Sequence, residues 1–187
     1  MNLENTAAKL DDSAPVPNDQ SRDLPFPRAG RLLGVDFGTV RVGIAICDPM
    51  RILASPLEIR VVAGKEVDGK YFCELARNEG VAGFVVGLPI HCDGGESQKS
   101  REARAFALWL QSMTGVPVRL FDERFTTAAA QQRMRESSRK KKNSRIRQID
   151  AIAAQVLLES FLEAARYHDE IPGQSPFDLA KGGDSLG

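Results

Sequence analysis

The order in which apolar segments follow one another constrains this chain most. RLLGVDFG (31–38) and VRVGIAICD (40–48) read as two strands joined around Gly38 and Thr39, the spacing of a hairpin. RILASPLEIR (51–60) reads as a third strand. Pro56 inside it cannot donate to a ladder, which predicts an edge position. From there the period changes. A helix is predicted over 66–79, with Phe72, Leu75 and Ala76 inward and Gly80 as its stop. AGFVVGLP (82–89) is an almost wholly apolar strand, the kind covered on both faces. A second helix over 98–113 carries Ala103, Phe106, Ala107 and Leu110 at helical spacing. VPVRLFDE (116–123) is the fifth strand, Thr126 or Thr127 can cap a helix after it, and a last helix is predicted over 148–165. Three strands in hairpin order, then alternating helices and strands, predict an α/β fold: a mixed five-stranded sheet with helices on both faces.

With 42% apolar residues among 187, the chain suffices for one sizeable core. That core is expected within 31–168. Residues 1–30 are polar and acidic, with prolines at 15, 17, 25 and 27, and residues 169–187 have a similar character. Both are expected to be disordered tails, because so little apolar surface cannot offset the entropy of ordering. Cys47, Cys73 and Cys92 are far apart and none sits in a C-x-x-C pair, which fits free thiols in a reducing compartment. No apolar run approaches about 18 residues, so no membrane span is expected. The N-terminus lacks the apolar stretch of a secretory signal, and a cytoplasmic location is expected.

Three carboxylates stand out. Asp36 lies inside an apolar strand, on the same face as Gly34 and opposite Leu33, Val35 and Phe37. A carboxylate there is costly unless paired or bound to metal; the alternative is that Asp36 already belongs to the Gly38 turn and caps it. Glu123 ends the fifth strand, where α/β proteins place ligand groups, although a solvated charge cluster would read the same. Asp150 heads the stripe Ala153, Ala154, Leu157, Leu158 and Phe161, so it points toward the core or a site at its edge. It could instead merely complement the dipole of its helix. The three lie on separate elements, and only the fold can bring them together. Clustered carboxylates repel unless a cation neutralises them, and Mg²⁺, or Mn²⁺ in its place, takes oxygen ligands and suits phosphoryl chemistry. His91, Cys92 and Asp93 have the wrong spacing for a zinc site.

Charge is balanced at 25 basic and 25 acidic residues, but not evenly spread. Residues 119–147 hold ten Lys or Arg against three Asp or Glu, a local net of +7. Arg139, Lys140, Lys141 and Lys142, with Arg145 and Arg147, immediately precede the helix bearing Asp150. They can hold phosphates and steer a polyanion toward the acids; the alternative is a solvated, flexible connector. Stacking aromatics are scarce around this block, so base-specific reading is not expected there.

GVDFGTVRVGIAICD, VVGLPIHCDGGES, VRLFDERFTT and IDAIAAQVLLESFL, in this order and spacing, resemble the YqgF/RuvX family over residues 31–165. The resemblance implies a ribonuclease H-like fold and a metal-dependent nuclease that hydrolyses phosphodiester bonds in RNA. Its implied task is processing the 5′ end of pre-16S rRNA during ribosome biogenesis. It places the family's acidic positions on Asp36, Glu123 and Asp150, and its other polar motif positions on Thr39, Arg41 and Arg124. Two features depart from the usual pattern: the loop IHCDGGES and the basic stretch before IDAIAA. The rival readings are an actin-like phosphotransferase, which DFGTVRVG (36–43) resembles but which needs two such domains, a catalytically silent RNA-binding assembly factor, and a Holliday-junction-type resolvase acting on branched DNA. A monomer or weak dimer is expected.

Overall fold

A computed structural model of the chain describes residues 23–90, 97–122 and 145–178, with side chains from Asp150 onward in the last segment. Among them are five strands, β1 (Arg31–Phe37), β2 (Arg41–Cys47), β3 (Ala54–Val61), β4 (Val81–Leu88) and β5 (Val118–Asp122). Three helices accompany them: α1 (Lys65–Glu79), α2 (Gln98–Thr114) and α3 (Arg145–Tyr167). The strand order is β3-β2-β1-β4-β5. β1 runs antiparallel to β2 and parallel to β4, β4 runs parallel to β5, and β3 lies at the edge beyond β2. This is the mixed five-stranded sheet the sequence predicts, with Pro56 on an edge strand.

Alternation along the strands divides the core in two. Leu33, Val35, Ile44, Phe84, Val86 and Leu120 face one side, where Phe72 of α1 and Ala107 and Leu110 of α2 cover them. Leu32, Ala45, Val85 and Phe121 face the other, under Ala154, Leu158 and Phe161 of α3. The helix ends follow local rules. Gly80 closes α1 in the left-handed conformation (φ 60°), which glycine adopts without steric cost. Ser97 caps α2 reciprocally with Ser100.

On the α3 side two glycines set how near the helix can come. A Cβ on Gly34 would sit 2.8 Å from the Ala154 carbonyl oxygen, and one on Gly43 would sit 2.0 Å from that of Asp150. Any side chain there would push α3 off the sheet, so these positions seat Asp150 against β2.

The β2–β3 connection is a turn organised by Asp48. Its Oδ1 accepts from the backbone N–H of Ile52 (2.8 Å) and Leu53 (2.7 Å), and its Oδ2 from Met50 (2.9 Å). These bonds, that from Leu53 foremost, hold its carboxyl below the usual range. Cys47 is buried beside it. Burial pushes its thiol above the usual range, against the opposing N–H that Leu32 donates to Sγ (3.1 Å).

Two expectations need correction. Parts of both presumed tails pack onto the domain. Phe26 is buried and meets Phe161 edge to face at 5.8 Å. The Arg51 guanidinium donates to the carbonyls of Pro27, Ala29 and Gly30. On the other side, Gln174 exchanges two backbone hydrogen bonds with Leu120 of β5, Arg104 donates to the carbonyl of Asp178 (2.8 Å), and Ser175 joins Asp23 (2.7 Å). The physical reason is covering: Phe26 completes the α3 core, and Gln174 pairs an otherwise open sheet edge. Second, α3 begins at Arg145, three residues before the predicted 148. Arg145 and Arg147 therefore belong to the helix, where arginine is well tolerated, and not to a loop.

Candidate active site

β1, β4 and β5 run parallel, and their carboxyl ends lie together where β1 also turns into β2. Such an end, next to a reversal of strand order, is where open α/β sheets accommodate ligands. Asp36 sits there as the penultimate residue of β1. It shares the face of Gly34, as the alternation predicts, and so looks toward α3 rather than into the core of Leu33 and Val35.

Its cross-strand partner is Gly43. Because Gly43 lies directly under the Asp150 backbone, Asp36 and Asp150 are held across one side-chain-free residue, although 114 positions separate them in sequence. Both line one open hollow of about 260 Å³, with Gly38, Thr39, Val40 and Arg41 completing the wall. Asp150 is half-buried. The Arg41 guanidinium donates from Nε to its Oδ2 at 2.9 Å, with Arg41 37% and Asp150 26% exposed. The pair remains wet enough to be reached, so the arginine can hold the carboxylate in place without sealing it off.

Two of the three expected acids thus meet, and Thr39 and Arg41 stand beside them. Glu123 follows Asp122, the last residue of β5, and lies outside the described residues, as do Arg124 and Arg139, Lys140, Lys141 and Lys142. The backbone of Arg145 and Arg147 forms the start of α3, and their side chains lie outside the described set. The loop with His91, Cys92 and Asp93 is likewise outside it. Asp122 itself is buried, partnered, and on the α1/α2 face with Leu120. Among the described residues no group of three His, Cys, Asp or Glu gathers as a metal site. Nor is any helix among them long and apolar enough to cross a membrane. Sequence reasoning named Arg41 and Asp150 separately but missed their pairing, for which two residues 109 positions apart leave no local signal.

Comparison with known proteins agrees with this architecture. The RuvX family, described as Holliday junction resolvase, matches residues 30–164. A protein of Rhodopirellula baltica named "Putative pre-16S rRNA nuclease" is 60% identical over 148 residues, covering 79% of this chain and 85% of that one. One of Streptomyces coelicolor with the same name is 39% identical over 162 residues, covering 85% and 95%. Among solved structures, Thermus thermophilus RuvC in complex with Holliday junction substrate superimposes with a TM-score of 0.53 at 15% identity, over 76% of this chain and 99% of that one. RuvC has a ribonuclease H-like fold, and the mixed sheet described above is of that kind.

Proposed function

This chain belongs to the RuvX family, and on that premise we propose that it is a metal-dependent nuclease that hydrolyses phosphodiester bonds in RNA. Its proposed task is trimming the 5′ end of pre-16S rRNA. The observation that carries the reading is the meeting of Asp36 and Asp150 in one solvent-open hollow at the carboxyl end of the sheet. An acid on a sheet and an acid on a helix, brought together across a glycine whose replacement would force the helix back, need a reason to be adjacent. A shared cation supplies one.

The residues fit such an ion. Both side chains offer hard oxygen donors, and Mg²⁺ is usually held by one or two carboxylates plus substrate phosphates. Glu123, one residue beyond β5, is proposed as the third acid. A bound Mg²⁺ would supply an activated water and stabilise the leaving oxygen. Arg41 fixes the orientation of Asp150 and offsets part of the repulsion between the acids. Thr39, exposed at the hairpin tip and lining the hollow, is proposed to donate to a phosphate. The cations at 139–142, with Arg124, Arg145 and Arg147, are proposed to hold the strand.

The family's description favours a second reading, cleavage of branched DNA. One experiment separates them: Mg²⁺-dependent cleavage of a pre-16S rRNA fragment beside a four-way DNA junction, with Asp36→Asn alongside. Cleavage of the RNA alone, lost in the variant, is expected. Cleavage of the junction alone would favour the second reading. Cleavage of neither, with RNA still bound, would leave a silent assembly factor.

A further inference from the structure

Across the sheet from the acids lies a second hollow, of about 340 Å³, between the start of α1 and residues 102–109 of α2. Phe37, Phe72, Phe106 and Trp109 line it. Phe37 and Phe106 stack with centroids 4.5 Å apart, and Phe106 lies 5.4 Å from Trp109. These rings come from β1, α1 and α2, so no stretch of sequence looks like a stacking platform. Its volume falls at the small end of ligand sites, roughly 300–1,000 Å³.

Phe37 borders both hollows, since the residue before it, Asp36, looks to the α3 side while Phe37 looks to the other. The two hollows therefore open on either side of the carboxyl end of β1, one residue apart. Charge narrows the choice of occupant. Lys65 opens α1 at the rim, is exposed, and forms no ion pair among the described residues. Arg60 is already committed to Asp68 at 2.7 Å and to the Tyr71 ring at 3.9 Å. Glu102 brings a carboxylate to the wall, whereas Asp68 is buried and its oxygens are taken by Arg60 and by the backbone N–H groups of Ala63 and Gly64. The Glu102 carboxylate repels a phosphate inside the hollow but can accept a hydrogen bond from the exocyclic amino group of a base. Aromatic walls, an acceptor within and a cation at the rim match a nucleobase inside with its phosphate outside.

We infer that the hollow walled by Phe37, Phe106 and Trp109 holds an unstacked nucleobase of the single strand whose neighbouring phosphate lies at Asp36. The inference rests on the nuclease reading of that site and adds to it a demand on the substrate: the strand must be single near the cut, so that one base can leave its stack.

Trp109 is the chain's only tryptophan, so its emission reports on this hollow directly. The test uses the whole protein in EDTA, so that nothing is cut, with a labelled single-stranded RNA and a series of copies each lacking one base. Intact RNA should change Trp109 emission. One abasic position should abolish that change and weaken binding about 5- to 150-fold, the range that base–aromatic stacking gives per base. Ala105→Phe, which introduces a ring at an exposed α2 position on the rim, should erase the difference between intact and abasic strands. Equal binding of every abasic strand, with Trp109 emission unmoved while the label reports binding, would overturn the inference. Cleavage in Mg²⁺ without a Trp109 response would remove the base site and leave the nuclease. A Trp109 response without cleavage would keep the base site and remove the nuclease.

Discussion

Gly43 is the residue whose replacement most directly tests how the acids are brought together. A Cβ added there would lie 2.0 Å from the Asp150 carbonyl oxygen, 2.4 Å from its carbon and 3.1 Å from the Ala151 nitrogen. All three are backbone atoms, so no side chain can swing aside. Ordinary Cβ contacts begin at 3.4 Å, so Gly43→Ala must drive α3 back at Asp150 by about 1.4 Å, the difference of the two distances. Overpacking of this kind costs about 1–3 kcal/mol. At about 2–4 °C per kcal/mol for a chain of this size, the melting temperature should fall by about 2–12 °C. The loss of cleavage should be larger than the loss of stability suggests, because misplacing a catalytic group by about 1 Å can cost about 10²-fold. Gly34→Ala is the control. Its Cβ would press on Ala154 at 2.8 Å, a smaller intrusion one turn farther along α3. Thermal melts and single-turnover cleavage of both variants should show Gly43→Ala losing more activity than Gly34→Ala. A Gly43→Ala protein with the parent's melting temperature and rate would refute the seating of α3 on β2.

Three further outcomes follow from the same geometry. Arg41→Gln should slow cleavage yet change stability by less than about 1 kcal/mol, because the ion pair with Asp150 is partly exposed; a large fall in melting temperature with normal cleavage would contradict its positioning role. Cys47 and Tyr71 both hold their protons more tightly folded than unfolded, Cys47 through burial and Tyr71 through burial and then the Glu58 hydrogen bond. Unfolding should therefore release protons above the ordinary thiol and phenol values of about 8.5 and 10, and denaturant midpoints should fall as pH rises through that range. Tyr71→Phe should flatten the upper part of the fall, and a midpoint rising with pH would contradict the assignment. Replacing Arg139, Lys140, Lys141 and Lys142 by alanine should weaken RNA binding and flatten its salt dependence by roughly 0.7 for each phosphate no longer neutralised, as titrations between about 50 and 200 mM salt would read; an unaltered slope would make the run a mere connector.

Much of the fold was legible because it rests on local pattern. Pro56 marked the edge strand, Gly80 the end of α1, and the period of two put Asp36 on the face of Gly34. What was not legible depends on packing between distant parts of the chain. Composition judged residues 23–30 by their prolines and charges, but a single ring, Phe26, finds Phe161 and fixes the segment. Gln174 gives no sign in sequence that it pairs with Leu120. Arg145 and Arg147 read as part of a charged loop, although arginine suits a helix and the helix simply continues through them. At the site, Asp36 and Asp150 could each be singled out by an unfavourable setting. Their nearness hangs on Gly43, a residue with no chemistry of its own. The aromatic hollow was hidden for a related reason: Phe37, Phe72, Phe106 and Trp109 lie on three elements and converge only in three dimensions.

Asp36, Glu123 and Asp150 are proposed to hold a divalent metal, and anomalous scattering from crystals grown with Mn²⁺ would locate it. A peak is expected in the hollow of Asp36 and Asp150, with carboxylate oxygens of both at about 2.1 Å and Glu123 joining them. A protein that cleaves RNA under those conditions while its manganese binds elsewhere, or with Glu123 turned away from the hollow, would contradict it.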